Sequence, residues 1–167
     1  MLDYTGLHKY PKILDSIAEE LAILRSELSK NVYNENTDKY RGEQELEIST
    51  LGILGELVAR DYLLSRDIKH EAARLVDLQP VVGPDIITYN DSKIDVKGVK
   101  EYGDRFYINY DAHRNSNKEC DFYWFVKINK QYDYPAAKHF IVSSKEVNKW
   151  NVEQLRYTKA FVSSRIE

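Results

Sequence analysis

Apolar residues near the start of the chain recur every three or four positions, which is the period of one face of an α-helix. The run begins just after Pro11, and proline is favoured in the first turn of a helix. The pattern predicts an amphipathic helix over residues 11–30, followed by a polar surface loop from Asn31 to Arg41 that ends at Gly42. The residues that define the apolar face are Leu14, Ile17, Leu21, Leu24 and Leu28.

A second helix is predicted over residues 49–65, and its small residues are as informative as its apolar ones. Because glycine costs ~1 kcal/mol relative to alanine inside a helix, two glycines on one stripe indicate close packing against a sheet. Glu56 is the only long side chain in that stripe, so such packing would hold its carboxylate at the sheet surface. A solvated glutamate beside a helix crossing is the alternative. The stripe consists of Gly52, Gly55, Glu56 and Ala59.

Beyond the second helix, the pattern changes to short β-rich runs bounded by turn residues, which predicts a sheet core. Ser143 and Glu146 then match a capping box, which predicts a short helix through Trp150. Residues 151–167 fit no single pattern. The predicted strands are Ala72–Leu78, Asp85–Tyr89, Ile94–Val99, Arg105–Tyr110, Phe122–Ile128 and His139–Val142.

The order helix, helix, sheet with an insertion, helix predicts one layered domain of α/β or α+β class over residues 1–167. Residues 1–48 would form an N-terminal helix and loop, residues 49–150 the core, and residues 151–167 a C-terminal segment. The 167 residues contain 43% apolar and 31% charged residues, which suits one soluble core.

Composition narrows the functional classes. No apolar run could span a bilayer, and the single cysteine, Cys120, excludes an internal disulfide, so a cytoplasmic protein is expected. A net charge of −3 argues against a protein that coats nucleic acid, so any such contact must be local. The histidines show no spacing typical of metal ligands, and no chemistry is assigned to them: His8, His70, His113 and His139.

The richest chemistry lies between Pro84 and Lys97, where two β-prone runs flank an Asn-Asp turn signal and predict a hairpin. Asp95 and Lys97 are two apart on one strand and therefore share a face. The position of Asp85 depends on register. A three-residue loop at residues 90–92 would place it opposite Lys97, whereas two- or four-residue loops would pair it with Val96 or Gly98.

Two carboxylates brought together beside a lysine repel each other unless they share a cation, and Mg²⁺ is the hard ion that takes such oxygen ligands. The tripeptide Asp-x-Lys alone has no specificity, since it also occurs at Asp67/Lys69 and Asp91/Lys93. Only Asp95/Lys97 lies inside an alternating strand at hairpin distance from a Pro-Asp pair. The alternative without chemical function is a surface hairpin with a weak Lys–Asp ion pair.

Pro84-Asp85 followed by Asp95-Val96-Lys97 resembles the signature of the PD-(D/E)XK nuclease superfamily, and Gly55-Glu56 resembles the helix-borne glutamate of many members. The similarity covers roughly residues 49–150. It implies a restriction-endonuclease-like fold, with a central mixed sheet of about five strands flanked by helices and, here, an N-terminal helical extension.

The resemblance also implies metal-dependent phosphodiester hydrolysis with Mg²⁺, for which Mn²⁺ could substitute. Asp85, Asp95 and the Val96 carbonyl would bind the metal, and Glu56 would do so directly or through water. Lys97 would orient or help deprotonate the attacking water and stabilise charge in the transition state. Candidate nucleic-acid contacts in the following strand and its flanks are Lys100, Tyr107, Asn109, His113, Arg114 and Lys118.

We therefore expect a DNA endonuclease of restriction, junction-resolving or phage and defence type, with RNA as a further possible substrate. A homodimer is expected, because two-fold symmetry lets a small chain cut both strands. An inactive nucleic-acid-binding or scaffold module of the same fold, and an enzyme acting on free nucleotides or other phosphate esters, are the alternatives.

Overall fold

The computed structural model describes residues 3–32, 43–73, 83–114, 119–129 and 133–163, and these contain eight strands and four helices. The strands are β1 (Asp3–Lys9), β2 (Ile86–Ile87), β3 (Lys93–Val99), β4 (Tyr107–Asn109), β5 (Phe122–Asn129), β6 (Ala136–Ser143), β7 (Asn151–Gln154) and β8 (Lys159–Val162). The helices are α1 (Ile13–Val32), α2 (Glu43–Ser65), α3 (Tyr110–Arg114) and α4 (Ser144–Val147).

Five strands form a mixed sheet in the order β1–β6–β5–β3–β2. Among the described strands its only parallel pair is β3 with β5, and the chain between these two strands passes through β4 and α3. This agrees with the need for a long connection between parallel neighbours, whereas β2–β3 and β5–β6 are antiparallel hairpins. The sheet therefore has β1 at one edge and the β2–β3 hairpin at the other.

Each face of this sheet is covered by a different layer. Helix α1 packs on α2, and α2 packs on β3 and β5 over a cluster that includes Val58, Val96 and Trp124. The opposite face buries Tyr123 and Phe125 in a second apolar cluster with residues of β4, β8 and α4. Within the described residues, no helix combines the length and the apolarity needed to cross a bilayer.

The second layer contains a small antiparallel sheet in the order β4–β8–β7. The sequence did not predict this sheet: the run Arg105–Tyr110 is shortened to β4, and part of residues 151–167 forms β7 and β8. β4 pairs with β8, more than forty residues further along the chain, and local patterns do not reveal such pairing.

The mixed α/β architecture and the five-stranded sheet are confirmed. The first predicted helix corresponds to α1, and α2 begins at Glu43, six residues before its predicted start. The capping box is also confirmed on its serine side, because the Ser143 hydroxyl accepts the Glu146 N–H at 3.2 Å. The predicted strand Ala72–Leu78 and the predicted loop Asn31–Arg41 lie mostly outside the described residues.

The N-terminal extension differs from the prediction, because residues 3–9 form the edge strand β1 before the helix begins. This segment contains Gly6 and lacks clear alternation, and its pairing with β6 shifts register between Thr5 and Leu7. Its strand conformation depends on the backbone of β6, so its own side chains give little sign of it.

Candidate active site at the β2–β3 hairpin

A three-residue turn at positions 89–91 joins β2 to β3. The Thr88 N–H donates to the Ser92 carbonyl at 3.0 Å, and the Asp91 N–H donates to the Thr88 carbonyl at 2.9 Å. Asp91 has a φ of 62°, the left-handed conformation that completes turns of this length and that aspartate tolerates. The Thr88 hydroxyl donates to the side-chain oxygen of Asn90, which fixes the start of the turn.

The turn begins one residue earlier than predicted, and this changes the strand register. Ile86 pairs with Ile94, and Asp85, just before the paired residues of β2, bonds to the backbone of Ile94 and Val96, the two neighbours of Asp95. The three registers considered, which would have paired Asp85 with Val96, Lys97 or Gly98, are wrong, because Ile86 pairs with Ile94.

Asp85 is held at three points. Its N–H donates to the Ile94 carbonyl at 2.9 Å, and its carboxylate Oδ2 accepts the Val96 N–H at 2.7 Å. Its carbonyl accepts a hydrogen bond from Arg60 Nη2 at 2.6 Å. The carboxylate thus takes the place of a backbone acceptor at the end of the β2–β3 ladder and is fixed beside the strand that carries Asp95.

Asp95 and Lys97 form a close ion pair on the same face of β3. Lys97 Nζ lies 2.5 Å from Asp95 Oδ2, and the Asp95 side chain is only 4% exposed, against 33% for Lys97. Burial acts to lower the pKa of Lys97, but the Asp95 carboxylate, with help from Asp85, outweighs it and raises that pKa above its usual value. Lys97 is therefore a persistent ammonium group that reaches solvent.

The carboxylates repel each other across the hairpin. Burial, followed by the negative charges of Asp95 and Glu56, raises the pKa of Asp85 to about 7. The Val96 N–H and the Lys97 ammonium act in the opposite direction without cancelling the rise. The fold therefore holds like charges together at a cost in stability, and such a cost is concentrated at functional sites in proteins.

Glu56 is buried in α2 and is paired with an arginine of the same helix. Arg60 Nη2 and Nε donate to Glu56 Oε1 at 3.0 and 3.3 Å, and Arg60 Nη1 donates to the Glu71 carbonyl at 2.7 Å. Burial raises the pKa of Glu56, although Arg60 opposes the rise. Sequence reasoning missed Arg60, although its position four residues after Glu56 in a helix is the spacing of an ion pair.

The glycine stripe of α2 does mark a close approach, but at only one of its two glycines. A Cβ atom on Gly55 would lie 2.9 Å from Gly98 Cα, and one on Gly98 would lie 2.2 Å from the Leu51 carbonyl oxygen. A Cβ on Gly52 would meet nothing within 4 Å. The predicted packing is confirmed at Gly55, and the alternative of a solvated Glu56 is wrong, since Glu56 is 7% exposed.

The hairpin and α2 bring the four predicted residues together unequally. Helix α2 covers the face of β3 that carries Val96, whereas Asp95 and Lys97 lie on the other face, in register with Tyr123 and Phe125 of β5. Glu56 reaches the site at the edge of the sheet, where Arg60 connects it to Asp85. Asp85, Asp95 and Lys97 form the core of the candidate site.

Two of the three carboxylates, Asp85 and Asp95, could bind a hard cation directly, whereas Glu56 is not free to do so. Asp85 and Asp95 offer oxygen ligands whose mutual repulsion a divalent ion would relieve. Glu56 Oε1 is already taken by Arg60. Among the described residues, no group of three or more His, Cys, Asp and Glu side chains is arranged to hold a metal ion.

The candidate nucleic-acid contacts lie in or near β4 and α3. Two of them, Asn109 and His113, make hydrogen bonds within the fold, Lys100 pairs with Glu47, and Arg114 lies over the Tyr110 ring. Asn109 Oδ1 accepts the Ala112 N–H at 2.9 Å in the first turn of α3. His113 Nδ1 lies 2.7 Å from the Tyr123 hydroxyl. Of the others, Lys100, Tyr107 and Arg114 are exposed, and Lys118 lies outside the described residues.

Comparison with known proteins adds no relative: no protein-family model, no curated protein and no solved structure matches this chain. The similarity to PD-(D/E)XK nucleases accordingly stays a prediction that depends on Pro84-Asp85, Asp95-Val96-Lys97 and Glu56.

Proposed function

We propose that this protein is a metal-dependent nuclease that hydrolyses phosphodiester bonds in DNA as an endonuclease. The observation that carries the proposal is that Asp85 is hydrogen-bonded to the backbone of Ile94 and Val96, on either side of Asp95, with Lys97 paired to Asp95 and partly open to solvent. Two close carboxylates and a lysine provide what phosphodiester hydrolysis needs: ligands for a cation that binds phosphate, and a fixed positive charge.

In this proposal Asp85, Asp95 and the Val96 carbonyl hold Mg²⁺, and Mn²⁺ can replace it. When bound, the ion lowers the pKa of its water and neutralises charge on the phosphate. Glu56 contributes through a water molecule, because Arg60 occupies one of its oxygens.

Lys97 acts as an electrostatic group in this scheme. Its raised pKa keeps it protonated, so it donates a hydrogen bond to a phosphate oxygen and stabilises the charge that grows there during attack. The oxygen of water bonds to phosphorus, the bond to the leaving oxygen breaks, the proton of water passes to solvent, and the leaving oxygen takes a proton from solvent. Cleavage of both DNA strands would use two copies of the chain related by two-fold symmetry.

The test is incubation of the purified chain with supercoiled, linear, branched and single-stranded DNA, and with RNA, in Mg²⁺, Mn²⁺ or EDTA. We expect cleavage of DNA that requires the metal and falls by about 10²-fold or more in Asp95→Asn and Lys97→Ala. Size-exclusion chromatography with and without DNA would test the dimer.

The chain contains its own matched controls, because Asp91 and Lys93 repeat the Asp-x-Lys pattern on the exposed turn and strand end. Asp91→Asn and Lys93→Ala should retain activity. The proposal is wrong if no substrate is cut, if cutting persists in EDTA, or if the control variants lose as much activity as the site variants.

An inactive binding or scaffold module is the second candidate, and one observation favours it. Lys97 pairs with Asp95 and Arg60 pairs with Glu56, so each of these two carboxylates has a cationic partner within the fold. Such a module would bind DNA in a mobility-shift assay with an affinity independent of Mg²⁺ and would cut none of the substrates.

A further inference from the structure

A second polar cluster lies at the β1 side of the sheet and takes no part in the proposed hydrolysis. Trp124 Nε1 donates to His139 Nδ1 at 2.9 Å, and His139 Nε2 lies 2.9 Å from His8 Nδ1. His8 Nε2 lies 2.9 Å from Asp61 Oδ2 of α2. These four residues, which we call the histidine chain, connect β5, β6, β1 and α2.

The direction of every hydrogen bond in the histidine chain follows from its two ends. The Trp124 indole can only donate, so His139 Nδ1 carries no proton, and the proton of that ring is on Nε2. His139 therefore donates to His8 Nδ1, which leaves the His8 proton on Nε2, directed at the Asp61 carboxylate. Both rings are neutral in this arrangement, and each is restricted to one tautomer.

Neither ring of the histidine chain can take up a further proton without losing a hydrogen bond. On His8 Nδ1 it would oppose the His139 N–H across 2.9 Å, and on His139 Nδ1 it would oppose the Trp124 N–H across the same distance. A proton on His8 Nδ1 removes the bond that joins β1 to β6, and a proton on His139 Nδ1 removes the bond that joins β6 to β5 and places a charge in the core. We propose that the histidine chain is an acid-sensitive latch, which fastens edge strand β1 to β6 when both histidines are neutral and releases β1 from β6 when a histidine takes up a proton.

The surroundings of the two rings support this behaviour. His139 is fully buried, and burial first and His8 second lower its pKa from 6.5 to about 3. The Tyr62 ring of α2 packs on both histidines, with centroids 4.5 Å from His139 and 5.3 Å from His8. The charged groups that the structure places around this cluster are Asp61, which accepts from His8, and Arg66, whose guanidinium lies 4.9 Å from the centre of the Tyr62 ring.

The sign of the pH effect follows from the lowered pKa of His139. Below about pH 6.5 the released histidine binds a proton that the latched form cannot bind, so the latch is complete above that pH and weakens as the pH falls toward 3. One proton taken up on release changes the opening constant by up to ~10-fold for each pH unit in this range.

Two measurements on the wild-type chain test the latch. A long-range proton–nitrogen NMR spectrum at about pH 8 should show the proton of both rings on Nε2. Hydrogen-exchange protection factors of the β1 amides should fall by up to ~10-fold per pH unit from about pH 6.5 to about pH 5, ahead of those of β5. A proton on Nδ1 of either ring, or β1 protection that does not change with pH, would overturn the proposal.

Variants then show whether the two histidines cause the change. The double substitution His8→Gln/His139→Gln should remove the pH dependence of β1 protection. The substitution His70→Gln, at a histidine that is not part of the histidine chain, should retain that dependence. A double variant that folds and keeps the wild-type dependence would contradict the latch. If that variant does not fold, the wild-type spectrum and exchange data still decide.

Discussion

Helix α2 contacts two polar clusters that differ in how well their charges and hydrogen bonds are matched. At the β2–β3 edge, Glu56, Asp85 and Asp95 hold three negative charges near one another, with Arg60 and Lys97 as the opposite charges. At the β1 side, the histidine chain is a series of donors and acceptors that match at every step. One cluster is electrostatically costly, and the other is satisfied.

The difference indicates which cluster does chemistry. A series of matched donors and acceptors stabilises the fold without needing anything else, whereas close carboxylates with a raised pKa lower stability unless a cation joins them. The carboxylate cluster is therefore the better candidate for an active site. The histidine chain is the better candidate for a structural device that pH can control.

The largest effect is expected where the opposite charge is removed from the carboxylate cluster. Arg60→Met leaves Glu56 buried without its partner and two carbonyl groups without their donor, so the free energy of unfolding should fall by about 3–5 kcal/mol. Urea denaturation measures this loss. Arg66→Met, just after the end of α2, is the control and should cost under ~1 kcal/mol. A similar loss in both variants would show that Arg60 has no special place in the cluster.

A smaller effect of opposite sign is expected when one of the repelling charges is removed. The pKa of Asp85 is raised from 3.8 to about 7, so the folded chain binds more protons than the unfolded chain between these values and loses stability as the pH rises through them. Asp85→Asn should therefore stabilise the fold by about 2 kcal/mol at about pH 8 and by little at about pH 4.

Thermal or urea unfolding at both pH values measures the gain from Asp85→Asn, and the proposed activity should be lost in the same variant. Added Mg²⁺ should stabilise the wild type more than the variant, because the variant has lost a ligand. If Asp85→Asn destabilises the chain equally at both pH values, the carboxylates do not repel each other as described.

The smallest effect is expected in the histidine chain. His8 needs only an acceptor at Asp61, so Asp61→Asn, with its oxygen toward His8, should cost about 1 kcal/mol through the loss of a charged acceptor. Denaturation at about pH 8 measures it, and the activity should not change. If Asp61→Asn lowered the free energy of unfolding as much as Arg60→Met, the Asp61 charge, and not the direction of the hydrogen bonds, would stabilise the histidine chain.

Periodicity was sufficient to predict the elements that depend on their own side chains. The helical repeat predicted α1, and the alternation in β3 placed Asp95 and Lys97 on one face. The partner of Asp85 could not be predicted in the same way, because the bond from Thr88 to Asn90 and the left-handed Asp91 decide where the turn begins. One residue in the turn changed every pairing in the hairpin.

Features that depend on distant parts of the chain were missed. Strand β1 and the sheet formed by β4, β8 and β7 exist because of partners far along the sequence. The histidines seemed to have no chemistry because His8 and His139 are 131 positions apart, and only the fold brings them together. Arg60 could have been found, since its spacing from Glu56 is local.

The separation between His8 and His139 also has a consequence for the order of folding. The β2–β3 and β5–β6 hairpins close short loops, whereas β1 must find β6 across almost the whole chain, and the entropy of loop closure grows with that separation. We therefore expect β1 to join the sheet late in folding, after the carboxylate hairpin has formed. The histidine chain would then form only after β1 and β6 have joined the same sheet, so its protonation-sensitive bonds would be among the last native contacts to form.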